Sequence, residues 1–304
     1  MGASSSTVVP YVLQDDYLAN GTFFNKFTFF TDSDPTHGFV QYVNQSTAAS
    51  TGLITASSSN VYVGVDYKNV QPYGRPSVRL TSTKSYNAGL IILDLQHMPG
   101  GICGTWPAFW TLGDDWPNHG EIDIIEGVNE GTTNLASLHT AQGCNITKAT
   151  MTGSISTSDC WVSDPNQSSN SGCAITTTNT TSYGAGFNAN GGGVYATRYT
   201  ASNITMWYFG RKSIPSDITA GSPDPSKWGT PVALFTGCQF SNYINGQRLV
   251  FDTTFCGDWA GNVWTSGSCA SKASNCSSYV ANNPADFKNA YWSINSLKVY
   301  QPTS

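Results

Sequence analysis

The sequence predicts an all-β protein, a sandwich or a barrel. Short apolar or alternating runs recur along the chain, separated by polar turns. No stretch sustains an apolar period of 3.6 residues, and there is no internal repeat. Within the 304 residues, 1–10 read as a loose arm and 11–304 as one large β domain with room for a sizeable core.

The elements follow in order. Phe23, Phe24, Phe27, Phe29 and Phe30 mark an early core segment. Residues 51–67 read as a hairpin of two short strands split by Ser57-Ser58-Ser59-Asn60. Residues 75–83 alternate, with Ser77 and Arg79 on one face and Val78 and Leu80 on the other. The run Leu90-Ile91-Ile92-Leu93 reads as a strand buried on both faces. Residues 106–112 form a strand, and the turn Asp114-Asp115-Trp116-Pro117-Asn118-His119 leads from it into an acidic strand. Residues 135–140 follow as a strand carrying His139. Residues 144–190, rich in Ser, Thr and Asn, read as long surface loops held by disulfides, in a place where binding loops are common. Residues 194–200 and 204–209 form a hairpin, and 232–235 and 248–253 are further strands. Residues 258–283 read as loop, 284–288 as one short helix, and the chain ends in a strand through Tyr300.

The acidic strand is Gly120-Glu121-Ile122-Asp123-Ile124-Ile125-Glu126-Gly127. Side chains alternate faces along a strand, so Glu121 and Asp123 share a face while Glu126 would point the other way. One extra residue, a β-bulge within Ile124-Ile125, brings Glu126 back to join them. Three acids then line one face, with isoleucines plugging the core. Paired carboxylates suit glycoside hydrolysis: one is the nucleophile, the other the general acid and then base, about 5–5.5 Å apart in a retaining enzyme. The two Glu Cα atoms start roughly 13 Å apart at about 3.3 Å per residue, and their side chains can lean inward. Two unit charges at about 5.5 Å repel by roughly 3 kcal/mol at an effective dielectric of 20. That repulsion raises one carboxyl pKa, as a general acid requires. The expectation is Glu121 ionised, Glu126 protonated, and Asp123 hydrogen-bonded to Glu121. A solvated acidic face and a hard-cation site are the competing readings. A chain only 11% charged makes such a concentration of acids on a plain surface strand unexpected.

Trp gives a rigid apolar surface for the flat C–H faces of sugars. Trp110 and Trp116 flank the acidic hairpin and are assigned to the glycone side; Trp259, in a Gly-Asp-Trp loop, lines the same cleft. Trp106 divides between core and cleft. His139 faces either the leaving sugar or the acid/base, or is a satisfied strand histidine. Arg79 binds sugar hydroxyls or forms a structural ion pair. No Ser/His/Asp triad, phosphate loop or zinc motif stands out, and this chemistry requires no cofactor and no metal.

A net charge of −5 speaks against nucleic acid and suits a neutral polymer. No apolar run approaches the ~20 residues of a membrane span. The eight cysteines contain no zinc spacing and fit disulfides in an oxidising compartment. Short-loop closure pairs Cys160 with Cys173, Cys238 with Cys256 and Cys269 with Cys276, leaving Cys103 with Cys144. Glycosylation sequons begin at Asn20, Asn44, Asn145, Asn166, Asn179, Asn203 and Asn275, so N-linked glycans and secretion are expected. Met1-Gly2-Ala3-Ser4 lacks an apolar leader core, and the chain reads as a mature form and a monomer.

Gly104-Thr105-Trp106-Pro107-Ala108-Phe109-Trp110-Thr111-Leu112-Gly113, Trp116-Pro117 and the acidic strand together resemble the signature of glycoside hydrolase family 16. Two residues between Asp123 and Glu126 resemble its laminarinase-type branch; lichenases and xyloglucan transglycosylases carry one, without the bulge. The resemblance extends to His139, Ile214-Pro215-Ser216-Asp217 and Ser293–Tyr300, and Cys256–Gly261 is similar to secreted fungal members. It implies a β-jelly roll of two stacked antiparallel sheets with a concave cleft for a polymer. It also implies a secreted, retaining endo-β-1,3-glucanase that extends to mixed β-1,3-1,4-glucan. Glu121 is then the nucleophile, Glu126 the acid/base and Asp123 the assisting residue. A structural Ca²⁺, present in some relatives, stays open. The alternatives are a β-glucan transglycosylase, a lectin on the same fold, and a hydrolase of agarose or carrageenan, whose sulfated forms call for a basic cleft.

Overall fold

The computed structural model describes residues 10–303. Pro10 is the one residue of the expected arm that falls among them. Two eight-stranded antiparallel sheets are stacked face to face. The first runs in the order Ser154–Thr157, Cys173–Thr176, Leu135–His139, Glu121–Glu126, Thr105–Leu112, Gln247–Phe255, Leu80–Tyr86, Phe27–Phe29. The second runs Ala233–Phe235, Ile204–Gly210, Gly193–Tyr199, Gly89–His97, Tyr291–Pro302, Val61–Gly64, Ile54–Ala56. Tyr11–Asp16 also pairs with Tyr291–Pro302, so the two ends of the described chain meet in one sheet.

Alternation places the core between the sheets. Phe109, Ile122, Ile125, Leu138, Leu249 and Phe251 point inward from the first sheet and meet Leu93, Leu95, Ile294 and Leu297 of the second. Each such buried side chain contributes about 1.5–3 kcal/mol of apolar transfer. The Leu90–Leu93 run is buried on both faces, as its continuous apolarity predicts. Ile91 and Leu93 enter the inter-sheet core. Leu90 and Ile92 pack outward with Trp207, Trp228 and Tyr300. The other face of the first sheet is left to polar and aromatic side chains, and there the acids sit.

Several expectations change. The 75–83 segment is two strands, Arg75–Ser77 and Leu80–Tyr86, rather than one. The first of these pairs in parallel with Val40–Tyr42, outside the main sheets. Residues 144–190 are not all loop: Ser154–Thr157 and Cys173–Thr176 extend the first sheet, and Gly184–Ala189 is a helix. The edge strand Ser154–Thr157 is short and polar and carries little apolar periodicity. Residues 258–283 hold short helical turns and the helix Cys276–Asn282, capped by the Asn275 side chain. The helix expected at 284–288 is a 3₁₀ turn over Pro284–Phe287.

Of the expected disulfides, Cys160–Cys173 forms. The other pairs are Cys103–Cys269, Cys144–Cys238 and Cys256–Cys276, so the pairings Cys238–Cys256, Cys269–Cys276 and Cys103–Cys144 are corrected. Short-loop closure fails because the fold brings distant segments together. Cys103 and Cys269 lie 166 residues apart in sequence with Cα atoms 5.6 Å apart.

Candidate active site

The bulge lies where the spacing of the acids requires it. Glu121, Ile122 and Asp123 pair with Leu112, Thr111 and Trp110; the register then slips, and Ile125 and Glu126 pair with Phe109 and Ala108. Ile124 is the extra residue, and both Ile124 and Ile125 stay in the core. Glu126 thereby returns to the face of Glu121 and Asp123. Gly120 immediately precedes the strand at φ +67°, where a Cβ would stand 2.5 Å from the Tyr243 carbonyl oxygen, so both conformation and space require glycine.

Asn134 is a site residue that pattern reading missed. It is buried in the loop before the His139 strand. Its Oδ1 accepts from the Glu126 N–H (3.0 Å) and its Nδ2 donates to the Ile124 carbonyl (2.8 Å). One side-chain amide therefore satisfies the backbone groups that the bulge removes from the ladder. We expect Asn134→Ala to leave two buried backbone groups unpaired, at about 1–3 kcal/mol each. A melting temperature lowered by several degrees, with kcat/KM lowered beyond any unfolded fraction, is the expected result. An unchanged kcat/KM would detach Asn134 from the site.

The acids have distinct surroundings. Asp123 is 2% exposed, with its Oδ2 3.2 Å from His139 Nε2. Burial pushes its carboxyl well above the usual range, reinforced by the charge of Glu121 and by the side-chain hydrogen bond between them. Glu126 is half-buried, and its Oε1 accepts from Trp106 Nε1 (2.8 Å). Burial also lifts its carboxyl well up, helped by the Asp123 charge, while the indole donor and His139 pull it down. The ligand atoms of Glu121, Asp123 and His139 all lie within 4.8 Å of one another, a spacing that would also suit a cation. Hard cations need ionised carboxylates, however, and burial drives Asp123 toward its neutral form.

The aromatic residues divide. Trp106 donates to Glu126, and Trp259 meets the Trp106 ring edge-on at 5.7 Å. Trp110 lies opposite Asp123 in register. Trp116 stands 41% exposed in the hairpin turn, before a cis Trp116-Pro117 bond. That turn is tied down by Arg248 Nε to Asp114 Oδ1 at 2.9 Å. His139 neighbours Asp123 rather than hydrogen-bonding the acid/base. Arg79 is buried, its guanidinium over the rings of Phe30 (4.7 Å) and Trp110 (5.0 Å), with no carboxylate within 4 Å among the described residues. The structural ion pair is therefore not made. Asp252, a second residue missed in the sequence, opposes Ala108, which in turn opposes Glu126. Burial pushes its carboxyl up to about 7, against the pull of Arg79.

Because Trp106 stabilises the Glu126 carboxylate, its removal raises that pKa further. Trp106→Phe is expected to move the alkaline limb of the kcat/KM profile to higher pH, since the acid keeps its proton longer. A limb that stays in place or moves down would break this link.

Fold and site define a class: a two-sheet β-sandwich enzyme with a carboxylate centre of the glycosidase kind. The XgeA-like catalytic domain of family GH16 matches residues 27–300. The chain belongs to glycoside hydrolase family 16. It is 51% identical to a probable glycosidase of Schizosaccharomyces pombe, covering 96% of this chain and 69% of that protein. It is 49% identical to an endo-1,3(4)-beta-glucanase of Arthroderma benhamiae, covering 96% of this chain. It is also 49% identical to one of Emericella nidulans, covering 91% of this chain. The chain spans less than two thirds of these two glucanases, 65% and 45%. Among solved structures, an elongating family 16 beta-1,3-glucosyltransferase superposes with TM-score 0.88 at 46% identity, covering 96% of this chain and all of that one. Laminarinase 16A of Phanerochaete chrysosporium, with 6-O-glucosyl-laminaritriose in donor and acceptor sites, superposes equally well at 41% identity, with the same coverage.

Proposed function

We propose that residues 11–304 form one catalytic domain of a secreted endo-β-1,3(4)-glucanase that acts with retention. The observation that carries this reading is the bulge at Ile124, which sets Glu121, Asp123 and Glu126 on one face with Glu126 inclined to hold a proton. Glu121 attacks the anomeric carbon, and the bond to the leaving oxygen breaks as Glu126 protonates it. Glu126 then takes a proton from water, whose oxygen displaces Glu121. Asp123, with His139 behind it, sits on the same face as Glu121 and holds it in place. Trp106 sets the orientation of Glu126. The names of the fungal relatives support β-1,3(4)-glucan as the substrate. The four disulfides, with no free cysteine among the described residues, support an oxidising route.

The likeness to the elongating glucosyltransferase favours a second reading, in which a sugar hydroxyl replaces water. Incubation with laminarin, lichenan and cellulose decides between them. Reducing-sugar release from laminarin, with the β-anomer first in NMR, supports retaining hydrolysis. Oligosaccharides longer than those supplied support transfer. Failure to act on any of the three would remove the glucanase reading.

A further inference from the structure

The glucanase mechanism leaves the seven sequons unused, and the fold sets one of them apart. Asn179-Thr180-Thr181 lies in the loop between the strand Cys173–Thr176 and the helix Gly184–Ala189, with Asn179 exposed. Asn179 Oδ1 accepts from the Thr181 N–H at 2.9 Å and from the Thr181 hydroxyl at 2.8 Å. Its Nδ2, the atom to which a sugar is joined, makes no hydrogen bond among the described residues. At two other sequons that atom is engaged: Asn166 Nδ2 donates to Asp164 Oδ1 (3.1 Å) and Asn203 Nδ2 to Ser202 Oγ (3.3 Å). Asn179 also lines a cavity of about 280 Å³, together with Thr181, Asn190, Tyr208, Phe209 and Lys212. This cavity lies against the end of the strand Ile204–Gly210 in the second sheet, whereas the acids sit on the first.

The lining suits a sugar. The half-buried Phe209 ring offers an apolar surface for the C–H face of a pyranose. The Asn190 amide and the Lys212 ammonium offer donors to hydroxyls and to an acetamido oxygen. The loop itself is tied on two sides. The Tyr208 hydroxyl donates to the Thr181 carbonyl oxygen at 2.5 Å, which joins it to the second sheet. Thr177 Oγ1 donates to the Asn134 carbonyl oxygen (3.1 Å), and Ser182 Oγ accepts from the Asn134 N–H (3.3 Å), which joins it to the residue that supports the bulge.

We infer that Asn179 carries an N-linked glycan whose innermost N-acetylglucosamine seats in this cavity and braces the loop 177–183 against the second sheet. This rests on the secretory part of the reading above, since the donor is a lipid-pyrophosphate-linked oligosaccharide of that route. The bond from Asn179 Nδ2 to the anomeric carbon forms as the carbon–oxygen bond to the pyrophosphate breaks. The pyrophosphate leaves with the electron pair, and Nδ2 gives up one proton. A free sugar would bind such a cavity weakly, but a tethered one acts at an effective concentration on the order of millimolar.

The test uses protein secreted from a fungal host. Peptide mapping by mass spectrometry is expected to find N-acetylglucosamine on Asn179. A bare Asn179 overturns the inference; sugar on other sequons in the same digest then leaves the secretory reading standing, and a digest without sugar at any sequon removes both. Endoglycosidase H, which leaves one N-acetylglucosamine on each asparagine, is expected to keep Tm within about 1 °C, because the seated sugar stays. Asn179→Asp keeps an oxygen for the Thr181 donors but cannot be modified. It is expected to lower Tm by about 2–4 °C and to speed amide hydrogen exchange across residues 177–183. Phe209→Ala is combined with it, and in that background the Asn179→Asp loss should largely vanish, because both changes remove one contact. An Asn179→Asp protein that melts and exchanges like wild type overturns the seat, as does a Tm lost on trimming alone. Equal Asn179→Asp losses with and without Phe209 overturn it too. Should Phe209→Ala fail to fold, the trimming and exchange results decide.

Discussion

Glu121→Gln is expected to lower turnover of laminarin on the order of 10⁴- to 10⁶-fold while leaving oligosaccharide binding within a few-fold of wild type. Losses of that size accompany removal of a nucleophile that acts as one unit with its partners. A glutamine amide has the shape of the carboxylate but cannot form the glycosyl ester. Binding survives because the cleft is built by neighbours that the change leaves alone: Trp110 and His139, both facing the acidic strand. Stopped assays of sugar release, together with calorimetric titration, check both halves. Turnover within tenfold of wild type would move the nucleophile elsewhere. Equal loss of binding and turnover would point instead to a damaged cleft.

Glu126→Gln should lower kcat by about 10²- to 10⁴-fold, the usual weight of a general acid/base. It should also abolish the alkaline limb of the pH profile. The same variant carries a stability signature of definite sign. Burial raises the Glu126 carboxyl well above its ordinary value. The native state therefore holds this proton after the unfolded chain, near pKa 4.3, has released it. The stability that Glu126 contributes is complete below the unfolded pKa and is lost as pH rises through the folded one. Glutamine cannot ionise and still offers a carbonyl oxygen to Trp106 Nε1. Thermal melts should show the variant gaining on wild type from about pH 4.3 upward. A gain that appears only toward acid pH would reverse the assignment of the proton.

Much of the site is legible in the chain because strand geometry is strict. Side chains alternate with period two, so the spacing of Glu121, Asp123 and Glu126 demands an extra residue, and Ile124 supplies it. The apolar run Leu90–Leu93 likewise requires two buried faces, and both exist. These readings depend on local rules that hold wherever the strand lies.

Other features depend on which distant segments meet. Asn134 is one Asn among many until the fold sets its amide against the bulge. Asp252 reads as a polar position on a late strand until the sheet order places it across Ala108 from Glu126. The pairing of Cys103 with Cys269 was closed to reading by loop length. Local alternation and turn chemistry were thus enough to determine the all-β class, the core face of the acidic strand and the three acids on its other face. The tertiary structure decided the disulfides, the support of the bulge and the place of Asp252 opposite Ala108. Each of these is a contact between segments far apart in sequence, and no local period encodes such a contact.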